Sequence, residues 1–410
     1  MIRVAFSLAG VLICLLIIWI TAQAGLARLL AKHAIINASL DSADKSVTLA
    51  PGDPESHRVR AAVLYRMKRL PEAAKELEQA VSLRPRDDYL WLELAMLRDE
   101  LQDSAGASVA FDQSVRLAPH YAYPRWQRGN FLLRQRRFDA AFADLRQAAA
   151  GNPDFVPNLL DLAWGISGGN VRATENLAQI TTSKMRVAFA GFLAKKGKTR
   201  EAVEQFALAG DVSVQTRRLL VRDLIATESF DEAFEIWTFG KTVGSESVMI
   251  HDGGFEGSLG FEEAGFGWRI SRSSQASRLV ADFSQRHTGS KSLLIEFKGD
   301  SNPDSPLISQ LIHVEPSRAY RVNFAARTQN MVTGGLPLAV VHDASGEHKR
   351  LGESAPLTSD ITDWRVYSLE FQTESNTRAV LLSVQRRNCS TSPCPIFGSI
   401  WLDSFSIEAR

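Results

Sequence analysis

Four prolines, Pro51, Pro85, Pro119 and Pro153, follow one another at a constant interval of 34 residues. A fixed period of this length marks a chain built from copies of one small unit that cannot bury its apolar face alone. The register reaches other positions: Ala73, Ala107 and Ala141 stand twelve residues before their prolines. Leu77, Phe111 and Leu145 follow at four, and Ala80, Ser114 and Ala148 at seven. Residues 36–240 are rich in Ala and Leu, with apolar residues at i, i+3 and i+4 and short breaks, which reads as successive helices. Two helices crossing closely accept only a small residue at the contact, a large residue fills the gap beyond it, and Pro ends the second helix.

This pattern resembles the tetratricopeptide repeat, a helix-turn-helix unit. Trp91 takes the large position early in the first helix of unit 88–121, followed by Leu94 and Ala95, and Gly129 takes the close-packing position of unit 122–155. Gly197, Ala202, Phe206 and Ala209 fit one degenerate unit, and Phe230, Ala233 and Trp237 a last one. Residues 156–182 fit poorly, with Gly168-Gly169 marking a distorted turn. The resemblance covers about half the chain. It implies a superhelix whose first helices line a concave face open to a protein partner. Counted from the register, the inward positions are Arg58, Tyr65 and Arg66, then Tyr89 and Met96, then Tyr123, Trp126, Asn130 and Arg134. Tyr, Trp and Arg combine large area with a polar handle, which suits a partner-binding groove. The competing reading places Trp126 one step from the usual packing Trp and leaves the others as ordinary exposed residues.

Between Arg3 and Arg28 lie 24 residues without a charge, enough to cross a bilayer as one helix. The rival is a cleaved signal peptide with Ala22-Gln23-Ala24 as its small-residue site. The repeat register runs back into this stretch. It puts Leu26 and Ala27 at packing positions and Ser39 at the close contact of a unit whose first helix begins near Ile20, which favours retention. The expectation is a single-pass transmembrane anchor at residues 1–24, with the bulk of the chain periplasmic at a bacterial inner membrane.

Near residue 249 the apolar period changes from 3.6 toward 2. Residues 293–297, 320–327, 338–342, 365–371 and 379–384 read as strands between Gly, Pro, Asp and Ser clusters, which argues a β-sandwich of eight to ten strands. The landmarks run in order: Asp252-Gly-Gly-Phe-Glu256, Gly267-Trp268, residues 288–295, residues 308–314, Pro316 to Tyr320, Trp364 to Phe371, and residues 401–407. This order resembles the galactose-binding-like jelly roll of carbohydrate-binding modules of the family 4/9 type. The resemblance implies glycan contact on a concave strand face and a structural calcium, held here by Glu256 and Asp403. The alternative for that pair is bonding to backbone amides or Arg. Trp364 and Trp401 are expected in the core, Trp268 and Tyr320 less firmly so. Cys389 and Cys394 flank a Pro-bearing loop that suits a disulfide at a hairpin tip, the other reading being two unrelated thiols. The domains expected are the anchor at 1–24, the repeats at 25–242 and the sandwich at 249–410.

Several classes are set aside. Lys plus Arg number 47 against 46 for Asp plus Glu, a balance unlike a nucleic-acid-binding chain. The chain lacks a phosphate loop, a His-Glu-x-x-His pair and a Gly-x-Ser-x-Gly elbow, and Gly253-Gly254 precedes no helical pattern. His342 and His348 flank a hairpin turn, and Glu262 and Glu263 are adjacent, so they point apart on a strand. The expectation is a non-enzymatic scaffold with calcium as its sole cofactor. Its repeats dock a protein and its sandwich contacts glycan or protein, near surface polysaccharide assembly or export by analogy. The alternative is a glycan-binding receptor whose repeats are a spacer.

Overall fold

A computed structural model describes residues 2–240, 250–257, 265–270, 277–300, 303, 305–359, 363–389 and 393–410. The expected boundary between 242 and 249, the pair Glu262 and Glu263, and the tip of the Cys389–Cys394 loop lie outside these residues. Among the described residues, fourteen α-helices come first and ten strands follow. By compactness the chain divides into Met1–Gln179 and Ile180–Arg410.

In the first unit the helices come as consecutive pairs: α1 (Ile2–Asn37) with α2 (Leu40–Leu49), α3 (Pro54–Arg66) with α4 (Leu70–Leu83), and α5 (Asp88–Glu100) with α6 (Ser104–Leu117). Then come α7 (Ala122–Arg134) with α8 (Phe138–Gly151), and α9 (Val156–Ile166) with α10 (Val171–Ala178). Asp53 and Asp87 cap α3 and α5, their carboxylates accepting from the N–H of Glu55 and of Tyr89 and Leu90. Trp91 fastens the end of one unit to the start of the next, its indole N–H donating 2.9 Å to the Pro85 carbonyl. Between α9 and α10, Gly168 and Gly169 take positive φ, so the poorly fitting stretch is a helix pair with a short second member.

The contact within each pair is narrow. Ala61, Ala95 and Gly129, one per unit, are buried, as are Ala73, Ala107 and Ala141 on the partner helices. A Cβ on Gly129 would sit 2.7 Å from Leu145 Cγ and 3.2 Å from the Ala141 carbonyl oxygen. The turns between paired helices hold a second period that the sequence conceals. Lys68, Gln102 and Arg136, each 34 residues from the next, have φ of 60°, 64° and 56°. Glycine would signal such a turn; these residues do not.

At the N-terminus α1 is one unbroken helix of 36 residues, roughly 54 Å long at ~1.5 Å per residue. Residues 12–37 of it are long and apolar enough to cross a membrane. Its far end is a repeat helix: Ala27, Ala31 and Ala34 are buried against α2 and α3, and Ser46 Oγ donates 2.8 Å to the Ala27 carbonyl. Two expectations are corrected here. Leu26 is exposed, and Ser39 is the N-cap of α2, its hydroxyl accepting from Ser42 N–H at 3.3 Å. The reason is that α2 starts later in its unit than α4 does, so Ala43 takes the buried place. The buried contacts begin at Ala27, beyond residue 24.

The second unit opens with α11 (Ser183–Lys195), α12 (Thr199–Ala209), α13 (Val214–Ala226) and α14 (Phe230–Thr238). Its strands are β1 (Trp268–Ile270), β2 (Ser277–Asp282), β3 (Ser292–Asp300), β4 (Ile308–His313), β5 (Ala319–Thr333), β6 (Pro337–Asp343), β7 (Arg350–Glu353), β8 (Arg365–Gln372), β9 (Ala379–Arg386) and β10 (Pro395–Ala409). They form two antiparallel five-stranded sheets, ordered β1-β4-β9-β6-β7 and β2-β3-β10-β5-β8. Ile308, Ile312, Val341, Leu382 and Val384 of the first sheet meet Leu293, Ile295, Val322, Phe324 and Ile400 of the second in one core. Of the four aromatics expected in the core, Trp268, Tyr320 and Trp401 are buried and Trp364 is not. Trp268 and Tyr320 belong to this core. Trp401 is buried on the opposite side of its strand, beneath the Arg327 guanidinium (5.4 Å) and bonded to Asp282, while Trp364 lies half-buried against His287. Residue parity explains it: Ile400 and Leu402 point inward, so Trp401 points out.

The narrow contact at Gly129 predicts opposite outcomes for two glycines. In Gly129→Ala, overpacking of ~1–3 kcal/mol exceeds the helix-propensity gain of up to ~1 kcal/mol, and thermal stability falls. At Gly191, in α11, a Cβ meets nothing within 4 Å, so Gly191→Ala raises it. Melting curves of the two variants check the signs.

Candidate functional site

Six of the nine expected groove residues line one cavity of about 450 Å³: Arg58, Tyr65, Arg66, Tyr89, Met96 and Tyr123. Helices α3 and α5 supply most of it, because residues one turn apart on the first helix of each pair face the same side. Tyr89 also lines two neighbouring cavities, of about 410 and 640 Å³, so the groove is continuous across it. The tyrosine rings and the Met96 side chain are partly exposed and provide apolar walls.

The remaining three residues lie elsewhere. Trp126 stacks on Phe155 with ring centroids 4.5 Å apart and planes 2° apart. Asn130 donates 2.8 Å to the Trp126 carbonyl, and Arg134 pairs with Asp99. None lines the cavity of the other six. The turn of chain at Phe155, which offers Trp126 a partner ring, was not readable from the period.

Two carboxylates on the groove wall, Glu93 and Glu100, were missed. The signal was present: Tyr89, Glu93, Met96 and Glu100 make one helical stripe on α5. Arg58 forks onto Glu55 at 2.7 and 3.0 Å and reaches Glu93 Oε1 at 3.4 Å. The Glu55 hydrogen bond, then the charges of Glu55 and Glu93, raise the Arg58 pKa against the opposing effect of burial. Burial pushes the Glu93 carboxyl above its ordinary range despite Arg58, and its Oε2 is buried with no hydrogen-bond partner. A hydrogen bond to Glu100 raises the Tyr65 phenol, and the charge of Glu93 raises that of Tyr89.

In the sandwich, Glu256 and Asp403 come together around Gly254, whose added Cβ would lie 3.6 Å from an oxygen of Asp403 and from Glu256 Cγ. Gly253 permits the approach, since a Cβ there would fall 2.0 Å from the Phe405 carbonyl oxygen. Phe405 N–H donates 2.9 Å to the Gly253 carbonyl, joining the opening turn to β10. Buried Asp403 accepts from His287 N–H (2.7 Å), Thr288 N–H (3.1 Å) and Ser404 N–H (2.6 Å). Glu256 accepts from the N–H of Ser290 (2.8 Å) and from its hydroxyl. Lys291 adds an ammonium 2.7 Å from the Gly257 carbonyl. The oxygens of both carboxylates face N–H and O–H donors of the 287–291 segment and of Ser404. Calcium at this pair requires the 287–291 segment to release those bonds. Cys389 and Cys394 are joined, with S–S 1.94 Å and Cα–Cα 5.6 Å. His342 and His348 flank the β6–β7 hairpin, His348 facing the Asp343 carbonyl at 3.3 Å.

With the geometry in place, comparison with known proteins adds the following. Residues 247–391 match the family model of a carbohydrate binding domain, which stops short of β10. Protein FlbA of Caulobacter vibrioides is 32% identical over 106 residues, 25% of this chain and 18% of that protein, so the chain spans less than a fifth of the relative. MamA (41-end) from Desulfovibrio magneticus RS-1 is 14% identical with a TM-score of 0.31, over 46% of this chain and 93% of its own. The CBM22-1 xylan-binding domain of Paenibacillus barcinonensis Xyn10C is 14% identical with a TM-score of 0.28, over 41% and 97%. The chain thus joins an array of paired helices to a C-terminal sandwich that matches a carbohydrate binding domain over residues 247–391.

Two measurements test the sandwich end. Ser290, first through its hydroxyl and then its N–H, holds the Glu256 carboxyl below its ordinary value of 4.5. The stabilisation is therefore full above that value and fades as pH falls through the lower folded one. Amide exchange at 287–291, corrected for intrinsic rates, should rise on acidification and, in Glu256→Gln, already at neutral pH. A chelator should leave the melting temperature unchanged; a drop would assign calcium to this pair. Mass spectrometry of the unreduced peptide should find Cys389 and Cys394 protected from alkylation.

Proposed function

We propose that the chain is a non-enzymatic scaffold of the bacterial envelope. Its repeat groove docks a segment of a partner protein, and its sandwich contacts glycan or a further protein. The observation that carries this reading is the cavity that gathers Arg58, Tyr65, Tyr89, Met96 and Tyr123 from successive repeats into one wall. Surface rings of this kind, set beside Arg and backed by a rigid helix array, have the makeup of interface hot spots. The helix α1 supports a role as retained single-pass anchor, with the remainder periplasmic; the Cys389–Cys394 bond agrees with an oxidising compartment. A place near surface polysaccharide assembly or export follows from joining such repeats to a carbohydrate-type domain and rests on analogy.

The second reading, a glycan receptor with repeats as spacer, draws on the match of 247–391 to a carbohydrate binding domain. Photo-crosslinking separates the two. A crosslinker placed at Tyr89 should capture one discrete protein in membranes, while the same group at Val109, exposed on α6, captures none. Tyr65→Ala combined with Met96→Ala, in the chain carrying the crosslinker at position 89, should fold and abolish protein capture. Glycan binding by the full chain without capture at Tyr89 would favour the receptor.

A further inference from the structure

Glu93 lies on the groove wall between Tyr89 and Met96, and its bonding is incomplete. Oε1 takes one long bond, 3.4 Å, from Arg58, and Oε2 is buried with no donor. A buried carboxylate oxygen without a donor is costly, and such an atom calls for a partner: water, an ion or a donor on a bound guest. Arg58 does not relieve it, because its fork is committed to Glu55 at 2.7 and 3.0 Å. Arg66, also on the cavity wall, donates 2.6 Å to the Ile35 carbonyl and not to Glu93. The wall carries Arg58 and Arg66 against Glu93 and Glu100, so it is the bonding of Glu93, and not the net charge, that selects the guest.

The surfaces around Glu93 suit the same kind of guest. Tyr65, Tyr89, Tyr123 and Met96 are between 41% and 53% exposed. Phenol faces attract cations, and a thioether and rings accept the methylene stem of a long basic side chain. The chain already shows this preference once, with the Lys68 ammonium 5.7 Å from the Tyr65 ring centroid. An acidic guest would be repelled by Glu93 and would bring Oε2 no donor. A wholly apolar guest would seal Oε2 away from water and leave it unpaired.

We infer that the groove recognises a basic side chain, Lys or Arg, on the docked segment, its stem along Tyr89 and Met96 and its cation donating to Glu93 Oε2. This rests on the docking reading above and adds the chemistry of the guest. The burial that now raises the Glu93 carboxyl supports it, since an arriving cation would lower that group again.

The test pans a random-peptide phage library against the immobilised full chain in detergent. Wild type should enrich peptides with Lys or Arg flanked by apolar residues. Lys, Gln and Glu versions of the best clone are then synthesised and their affinities measured by fluorescence anisotropy. The Lys version should bind roughly tenfold or more tightly than the Gln version, the scale of one charge-assisted hydrogen bond. Glu93→Gln should erase that preference, and Tyr89→Ala should weaken all three. Arg58→Gln, which leaves Glu93 without an internal cation, should sharpen the preference and guards against an effect of the Glu93 change on folding. Enrichment without basic residues, or a Lys preference that survives Glu93→Gln, overturns this inference and leaves docking intact. If wild type enriches no peptide, the docking reading fails and this one with it.

Discussion

The repeats depend on one steric fact: within each unit the first helix meets the second at a residue with almost no side chain. Ala61, Ala95 and Gly129 stand at this point, opposite Ala73, Ala107 and Ala141. Because the helices touch backbone to backbone, their crossing is set by the contact and repeats from unit to unit. The outward stripe of each first helix is then aimed in the same direction each time. The groove follows from that repetition, since Tyr65, Tyr89 and Tyr123 are brought to one wall without a loop having to hold them.

Most of this architecture was legible, and the places where it was not are instructive. Alanine and proline carry a geometric requirement in their identity, so their spacing revealed the helix pairs. Lys68, Gln102 and Arg136 obey the same period in a left-handed turn, yet their types announce nothing about φ. Within the groove, the register found the aromatic and arginine positions on α3 and α5. Glu93 and Glu100 escaped because attention to large apolar area passed over carboxylates on the same stripe. Trp126 misled for another reason: its neighbour Phe155 lies past a helix end, in the short 3-10 turn Pro153–Phe155, where periodicity has no reach. In the sandwich, strands were readable from alternation. Trp401 is buried as expected, but on the outer side of its strand, because parity turns Ile400 and Leu402 inward.

The second unit shows repeats and sandwich meeting through specific chemistry. Phe234 of α14 stacks on His313 of β4 with centroids 4.7 Å apart, and His313 Nε2 lies 2.7 Å from Asp231. Phe266 meets both Phe234 and Trp237, and Gly265 is a glycine because a Cβ there would fall 2.5 Å from the Trp237 ring. The last helix pair therefore belongs physically with the sheets, although its sequence belongs to the repeats. In the same sandwich, the Gly253-Gly254 turn and the Asp403 and Glu256 carboxylates fasten three separate segments through hydrogen bonds.

The position of β10 has a consequence for the order of events during synthesis. It is the last strand in the chain and the middle one of its sheet, paired to β3 with Trp401 opposite Leu294 and to β5 with Trp401 opposite Arg327. Contacts within a helix pair close over a few dozen residues and can form as soon as each pair emerges. The pairings of β10 with β3 span about a hundred residues, and such non-local closure is slow. Until 395–409 has been made, β3 and β5 have no partner between them and show bare edges. Nascent chains would thus pass through a stage in which the repeats are formed and the sheet is split, the interval in which a chaperone has something to hold.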